Sequence, residues 1–133
     1  MHEQRRETIL VVDDDQELRG GICRILRREG YTAIPAGRGI EAQWCVEQHG
    51  AKVDLLIAGL AGPEGDAYHL GIPLGRLLSC VPVLFISASA REAHVRSGLL
   101  HPHTPFLRTP IPPAILTRRI RQLLDRLRLQ PLM

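Results

Sequence analysis

The stretch Ile9-Leu10-Val11-Val12-Asp13-Asp14-Asp15 decides the fold. Four apolar, mostly branched residues run without a polar break, the pattern of a strand covered on both faces. Three aspartates then stop it. Asp15 stands where an N-cap belongs, ahead of a helix predicted over residues 16–29. Leu18, Ile22, Ile25 and Leu26 form the apolar stripe of that helix at helical spacing. Gly30 follows as its stop signal. Gly20 and Gly21 fall inside the helix and cost about 1 kcal/mol each relative to alanine. Close packing against a sheet would be one reason to tolerate them.

Working outward, residues 31–36 read as a second strand. Pro35 lacks an N–H, which places that strand at a sheet edge. A weaker helix is expected over 40–48, ending near Gly50, and a third buried strand over 53–58. The turn Pro63-Glu64-Gly65-Asp66 leads into a helix expected over 67–79, interrupted by Gly71, Pro73 and Gly75. A fourth strand over 81–86, a short helix over 91–99 and a proline-punctuated loop over 101–105 follow. Residues 106–108 make a short fifth strand. Pro113 suits the first turn of a last helix over 113–127, with Leu116, Ile120, Leu123, Leu124 and Leu127 as its core stripe.

Alternating strands and helices imply an α/β fold, a five-stranded parallel sheet with helices on both faces. The flavodoxin-like (βα)5 strand order 2-1-3-4-5 puts the Pro35 strand at an edge and strands one and three side by side. Ligands of such sheets bind beyond the carboxyl ends of the strands. Asp13, Asp14, Gly59, Ser87 and Thr109 all follow or close predicted strands, so they should converge on one crevice.

A chain of 133 residues favours one domain, expected over 8–128, with short tails over 1–7 and 129–133. No apolar run approaches the roughly 18–20 residues of a membrane span. The charged start has no apolar core of a secretory signal. Cys23, Cys45 and Cys80 are too far apart to suggest a disulfide framework or a zinc site, which fits a cytoplasmic protein. His101 and His103 flank Pro102, too thin a pattern for a metal site. No Ser/His/Asp, Cys/His or zinc-binding arrangement is present, so no enzyme activity is expected. The net charge of +3 rests on 16 arginines and one lysine, Lys52. Between Arg108 and Arg128 six arginines face one aspartate, a local balance of +5.

The aspartate pair after strand one, the loop Pro63, Ser87 ending strand four, Phe106 in strand five and Pro110 after it occur in order at fitting spacing. Together they give a chain that resembles the receiver domain of response regulators in two-component signalling and phosphorelays. The resemblance spans about residues 8–128. It implies that Asp13 and Asp14 match the acids that hold a divalent cation, a weak Mg²⁺ site at most here. It implies that Ser87 matches the hydroxyl that contacts the phosphoryl group and Phe106 the aromatic switch. The phosphoryl acceptor, four residues before the loop proline, aligns with Gly59, which has no nucleophile. The family's lysine aligns with Thr109. Arg108 is adjacent, but neighbouring strand residues face opposite ways. Asp54 is about 16 Å back along the strand. Glu64 and Asp66 lie in the following loop and match no acceptor position.

The two losses fit each other. Three acids and a lysine carry a formal −2, as do two acids with glycine and threonine. An unpartnered charge at about 4 Å is worth about 4 kcal/mol at an effective dielectric of about 20, and losing the lysine alone would have left three acids together. The expected function is that of a pseudo-receiver: not phosphorylated, without a cofactor, acting through protein–protein interaction with a histidine kinase or output protein. A homodimer stays open. Two alternatives are a small-molecule or nucleotide sensor using space opened at Gly59, and nucleic-acid binding through the Arg-rich last helix, which no recognised DNA-binding motif accompanies. The segment from Gly98 to Phe106 is longer than the family's usual link and suggests either a specialised partner surface or a tolerated loop.

Overall fold

Branched, continuously apolar segments alternate with amphipathic ones along this chain, and the computed structural model arranges them accordingly. It describes residues 7–37, 39–49, 53–60, 81–96, 98 and 100–129. The elements are β1 (Thr8–Val12), α1 (Gln16–Arg28), β2 (Thr32–Ala36), α2 (Gly39–His49), β3 (Leu55–Gly59), β4 (Val83–Ser87), α3 (Arg91–Arg96), β5 (Phe106–Arg108) and α4 (Pro113–Leu129). The sheet is parallel in the order β2-β1-β3-β4-β5. Pro35 therefore lies on an edge strand, where a missing N–H is tolerated. The expected helix over 67–79, the Pro63–Asp66 turn with Glu64 and Asp66, and Cys80 lie outside the described residues.

Strand alternation divides the core in two. Ile9, Val11, Leu55, Ile57, Leu84 and Ile86 turn to one face, where Ile22, Cys23 and Leu26 of α1 meet Leu116, Ile120, Leu123 and Leu124 of α4. Leu10, Val12, Leu56 and Ala58 turn to the other, against Ala42 of α2. Leu60, Leu100 and Phe106 form a third, smaller cluster with Phe85 and Val95 packed on it. Covering both faces is why these strands read as unbroken apolar runs.

Several boundaries differ from the sequence reading, each for a local reason. β3 begins at Leu55 and extends through Gly59, so the acceptor-aligned position is the last residue of the strand and pairs with Ile86. β4 likewise starts two residues later than expected and includes Ser87. α3 stops at Arg96 rather than 99, and Gly98 takes a φ of +82°, a left-handed conformation that ends helices. Gly30 does the same after α1 with a φ of +96°. Gly20 and Gly21 do not pack against the sheet. A Cβ at either would meet only the far end of Arg24, at 3.8 and 3.9 Å.

At the amino-terminal end of β1, Arg121 of α4 forms a bidentate pair with Glu7, both contacts at 3.1 Å. Its other groups reach the Tyr31 hydroxyl at 3.1 Å and Asp125 at 3.0 Å. The bond to Glu7 raises the Arg121 pKa still further above neutrality. One arginine of the basic last helix thus joins the first strand, the β2 entry and the last helix. Arg118 and Arg126 remain exposed.

Candidate functional site

The crevice lies at the switch point, where the chain turns from β1 toward β2 on one side and β3 on the other. Val12 pairs with Ala58, which sets Asp13 opposite Gly59. Asp15 caps α1 by accepting from the N–H groups of Glu17 at 3.0 Å and Leu18 at 3.2 Å. With Asp15 occupied as the cap, Asp13 and Asp14 are divided between the crevice and solvent.

Asp13 is half-buried. Its N–H donates to the Ala36 carbonyl at 3.1 Å, tying it to β2. Its Oδ1 accepts the Asp15 N–H at 2.8 Å. The carboxyl group then leans across to β3. A Cβ built on Gly59 would fall 2.7 Å from Asp13 Cγ and nearer still to Oδ2. Gly59 has no left-handed φ, so its backbone would accept a side chain. Asp13 alone stands in the way. The space a side chain at Gly59 would take is a notch filled by the neighbouring carboxylate, not open space, which corrects the expectation of space opened beside Asp13. Asp14 is exposed and makes no hydrogen bond or ion pair among the described residues.

Burial raises the Asp13 pKa above its ordinary value, opposed by the Asp15 N–H bond and reinforced by the Asp14 and Asp15 charges. Arg19, which the sequence reading passed over, moderates this. Its guanidinium donates to the Asp13 carbonyl at 2.6 Å and lowers the carboxyl pKa through space. It arrives from the first turn of α1, four positions after the cap, which was the legible signal. Glu41 of α2 borders the same rim. A Cβ at Gly37 would lie 3.1 Å from Glu41 Oε1 and 3.4 Å from Arg19 Nη1.

Ser87, Arg108 and Thr109 come together at the carboxyl ends of β4 and β5, while Phe106 begins β5 opposite Phe85. The Ser87 hydroxyl accepts the Ser89 N–H at 3.0 Å and lies 2.8 Å from His94 Nε2. Phe106 is buried in the third core cluster. Thr109 donates its N–H to the Ser87 carbonyl at 2.8 Å. Arg108 donates its Nε–H to the Ala88 carbonyl at 2.9 Å. Asp54 sits at the opposite end of the sheet, where Oδ2 accepts the Thr8 N–H at 2.7 Å. It is held away from the crevice, as the strand rise requires. Among the described residues, no group of three or more His, Cys, Asp or Glu side chains could hold a metal ion.

A five-stranded, doubly wound parallel sheet with aspartates at its switch point, a hydroxyl ending β4 and an aromatic in β5 defines the CheY-like class of flavodoxin-like folds. The receiver domain from the hybrid histidine kinase CckA superposes on it with a TM-score of 0.70 and 32% sequence identity, covering 88% of this chain and 98% of that one. The chain belongs to the response-regulator receiver domain family. A CheY-like receiver domain protein from Methanospirillum hungatei matches with a TM-score of 0.76 at 21% identity, a likeness of fold alone, over 92% of this chain and 96% of that one. In sequence, the sensor kinase CckA of Brucella abortus is 29% identical over 119 residues, 90% of this chain. The transcriptional regulatory protein GltR of Pseudomonas aeruginosa is 31% identical over 119 residues, again 90% of this chain. The chain spans 13% of the length of the first and 49% of the second. No protein-family model matches the chain. No helix among the described residues is long and apolar enough to cross a membrane.

Proposed function

We propose that this receiver domain takes part in two-component signalling without being phosphorylated, through phosphorylation-independent contact with a protein partner. One observation carries the reading: the acceptor position is Gly59, and the Asp13 carboxylate fills the space its side chain would need. An acyl phosphate needs a carboxylate nucleophile with room for an incoming phosphoryl group. Neither is available at Gly59.

The donor set among the described residues does not fit the family's divalent cation either. Mg²⁺ requires near-octahedral oxygen ligands, including carboxylates free to turn toward it. Asp13 has one oxygen on the Asp15 N–H and the other against Gly59, and Asp14 points its charge into solvent. Thr109 adds no cation where a lysine would balance a phosphate. No catalytic step is assigned to this site, and the domain is read as a binding module rather than an enzyme. The partner class is a histidine kinase or an output protein, in the cytoplasm. The filled notch argues against a nucleotide in the crevice. The use of Arg121 in the Glu7 clamp takes one cation from a nucleic-acid face on α4.

The test is intact-mass measurement after incubation with acetyl phosphate or phosphoramidate and Mg²⁺. The mass is expected to stay unchanged. A hydroxylamine-sensitive gain of one phosphoryl group overturns the proposal.

A further inference from the structure

His94 is the one fully buried charged-type side chain of α3, at 0% exposure in a helix of six residues. A buried imidazole is costly unless hydrogen-bonded, and its Nε2 lies 2.8 Å from the Ser87 hydroxyl. Ser87 is itself 5% exposed. A serine hydroxyl offers one donor and two acceptor sites. The Ser89 N–H takes one acceptor at 3.0 Å, and His94 engages the hydroxyl from the α3 side, either ring tautomer serving. Both contacts draw the hydroxyl into the β4–α3 corner.

The same corner is tied to β5. The His94 and Phe106 rings are 6.0 Å apart at a tilt of 52°, and the Arg91 guanidinium lies 5.4 Å over the Phe106 ring. Arg91 also donates to the carbonyls of Pro102 and Thr104, each at 2.8 Å. The Leu100 N–H reaches the His94 carbonyl at 3.3 Å. One connected set of contacts therefore runs from the end of β4, through α3 and the 100–105 loop, to the aromatic of β5.

We infer that His94 is a positioning residue forming a built-in latch: it holds the Ser87 hydroxyl and so keeps the α3–β5 corner in one arrangement without any covalent change. The inference rests on the proposed absence of phosphorylation, because a phosphoryl group at Gly59 would compete for the same hydroxyl. In its place the chain supplies an internal partner. The surface around α3 and β5 then has a single standing shape for a partner to read.

The test is hydrogen–deuterium exchange on the unmodified full chain, so its outcome is separate from that of the phosphorylation assay. Amides of α3 and of the Thr104–Arg108 segment are compared in wild type, Ser87→Ala, His94→Gln, His94→Ala and the Ser87→Ala/His94→Ala double variant. Ser87→Ala and His94→Ala are each expected to speed exchange about five- to tenfold, as loss of one buried hydrogen bond would. The double variant should exceed neither single by more than about twofold. His94→Gln, which keeps a polar nitrogen at similar reach, should recover most of the protection. Additive effects, or unchanged α3 exchange in Ser87→Ala, overturn the latch. If His94→Ala fails to fold, Ser87→Ala and His94→Gln decide: the first must loosen α3 and the second must not, and any other result overturns it.

Discussion

Two carboxylates flank β1, and they are treated in opposite ways. Glu7, before the strand, has both oxygens on the Arg121 guanidinium, which is itself held by Tyr31 and Asp125. Asp13, after the strand, has no guanidinium hydrogen-bonded to its carboxylate among the described residues. The Arg19 guanidinium donates to the Asp13 backbone carbonyl, and burial, then the Asp14 and Asp15 charges, push the Asp13 pKa up against the opposing charge of Arg19. Glu7 joins the first and last elements. Asp13 is a partly buried anion among anions, filling a notch. Charge at one end of the strand holds the fold together, while at the other burial and neighbouring acids make it a cost. Functional sites commonly carry such local costs.

The comparison can be broken most forcefully at Glu7. Arg121→Ala removes the guanidinium that both oxygens of the nearly buried Glu7 carboxylate share. The expected loss is about 2 kcal/mol, below the roughly 3–5 kcal/mol of a fully buried pair because Arg121 is 40% exposed. Urea denaturation measures it, and adding Glu7→Gln to Arg121→Ala should recover part of the loss. Equal stability of Arg121→Ala and wild type would remove the contrast. Next in size is Gly59→Asp, which must displace Asp13 and sets two carboxylates side by side. A destabilisation of about 1–3 kcal/mol is expected, with no phosphoryl label in the acetyl phosphate assay. Robust labelling of this single variant would contradict the account of a filled notch.

A smaller effect of opposite sign is expected at Asp13. Its folded pKa is raised, so the native state binds its proton more tightly than the unfolded chain does. The stability tied to that proton is full below the ordinary aspartate value and is lost as pH rises through the folded pKa. Asp13→Asn should therefore stabilise the domain by on the order of 1 kcal/mol at neutral pH. That gain should shrink as the solution is acidified through the carboxylate range. Thermal melts from pH 3 to pH 7 test this, and a gain that grows on acidification would reverse the argument. Smallest is Gly20→Ala, whose added methyl would meet only the end of Arg24. It should stabilise by about 0.5–1 kcal/mol. It touches neither carboxylate, so the same melts should show a gain independent of pH.

Much of this architecture was legible in the residues. The run Ile9–Val12, the Asp15 cap, the Pro35 edge strand and the Pro113 start of α4 each follow from a local rule, and a parallel sheet follows from their alternation. That Gly59 offers no side chain for chemistry is likewise read from the sequence alone, since a side chain's absence needs no coordinates. What the sequence hid is partnership. Glu7 and Arg121 stand 114 positions apart, and no spacing rule links them. The reach of Asp13 into Gly59 depends on a side-chain rotation that the facing strand permits. His94 gave no signal in the sequence, because helical spacing alone does not reveal burial in a helix of six residues. The end of α3 was misplaced because Gly98 punctuates more strongly than the apolar residues after it suggest.

The filled notch also bears on how reversible this domain's chemistry is. With Asp13 settled against it, position 59 is, on the proposed reading, more than one substitution from a working acceptor. A carboxylate restored there would have to coincide with a retreat of Asp13 and the return of a cation near Thr109. On the proposed reading, each of these changes alone is expected to lower stability or to leave phosphorylation absent.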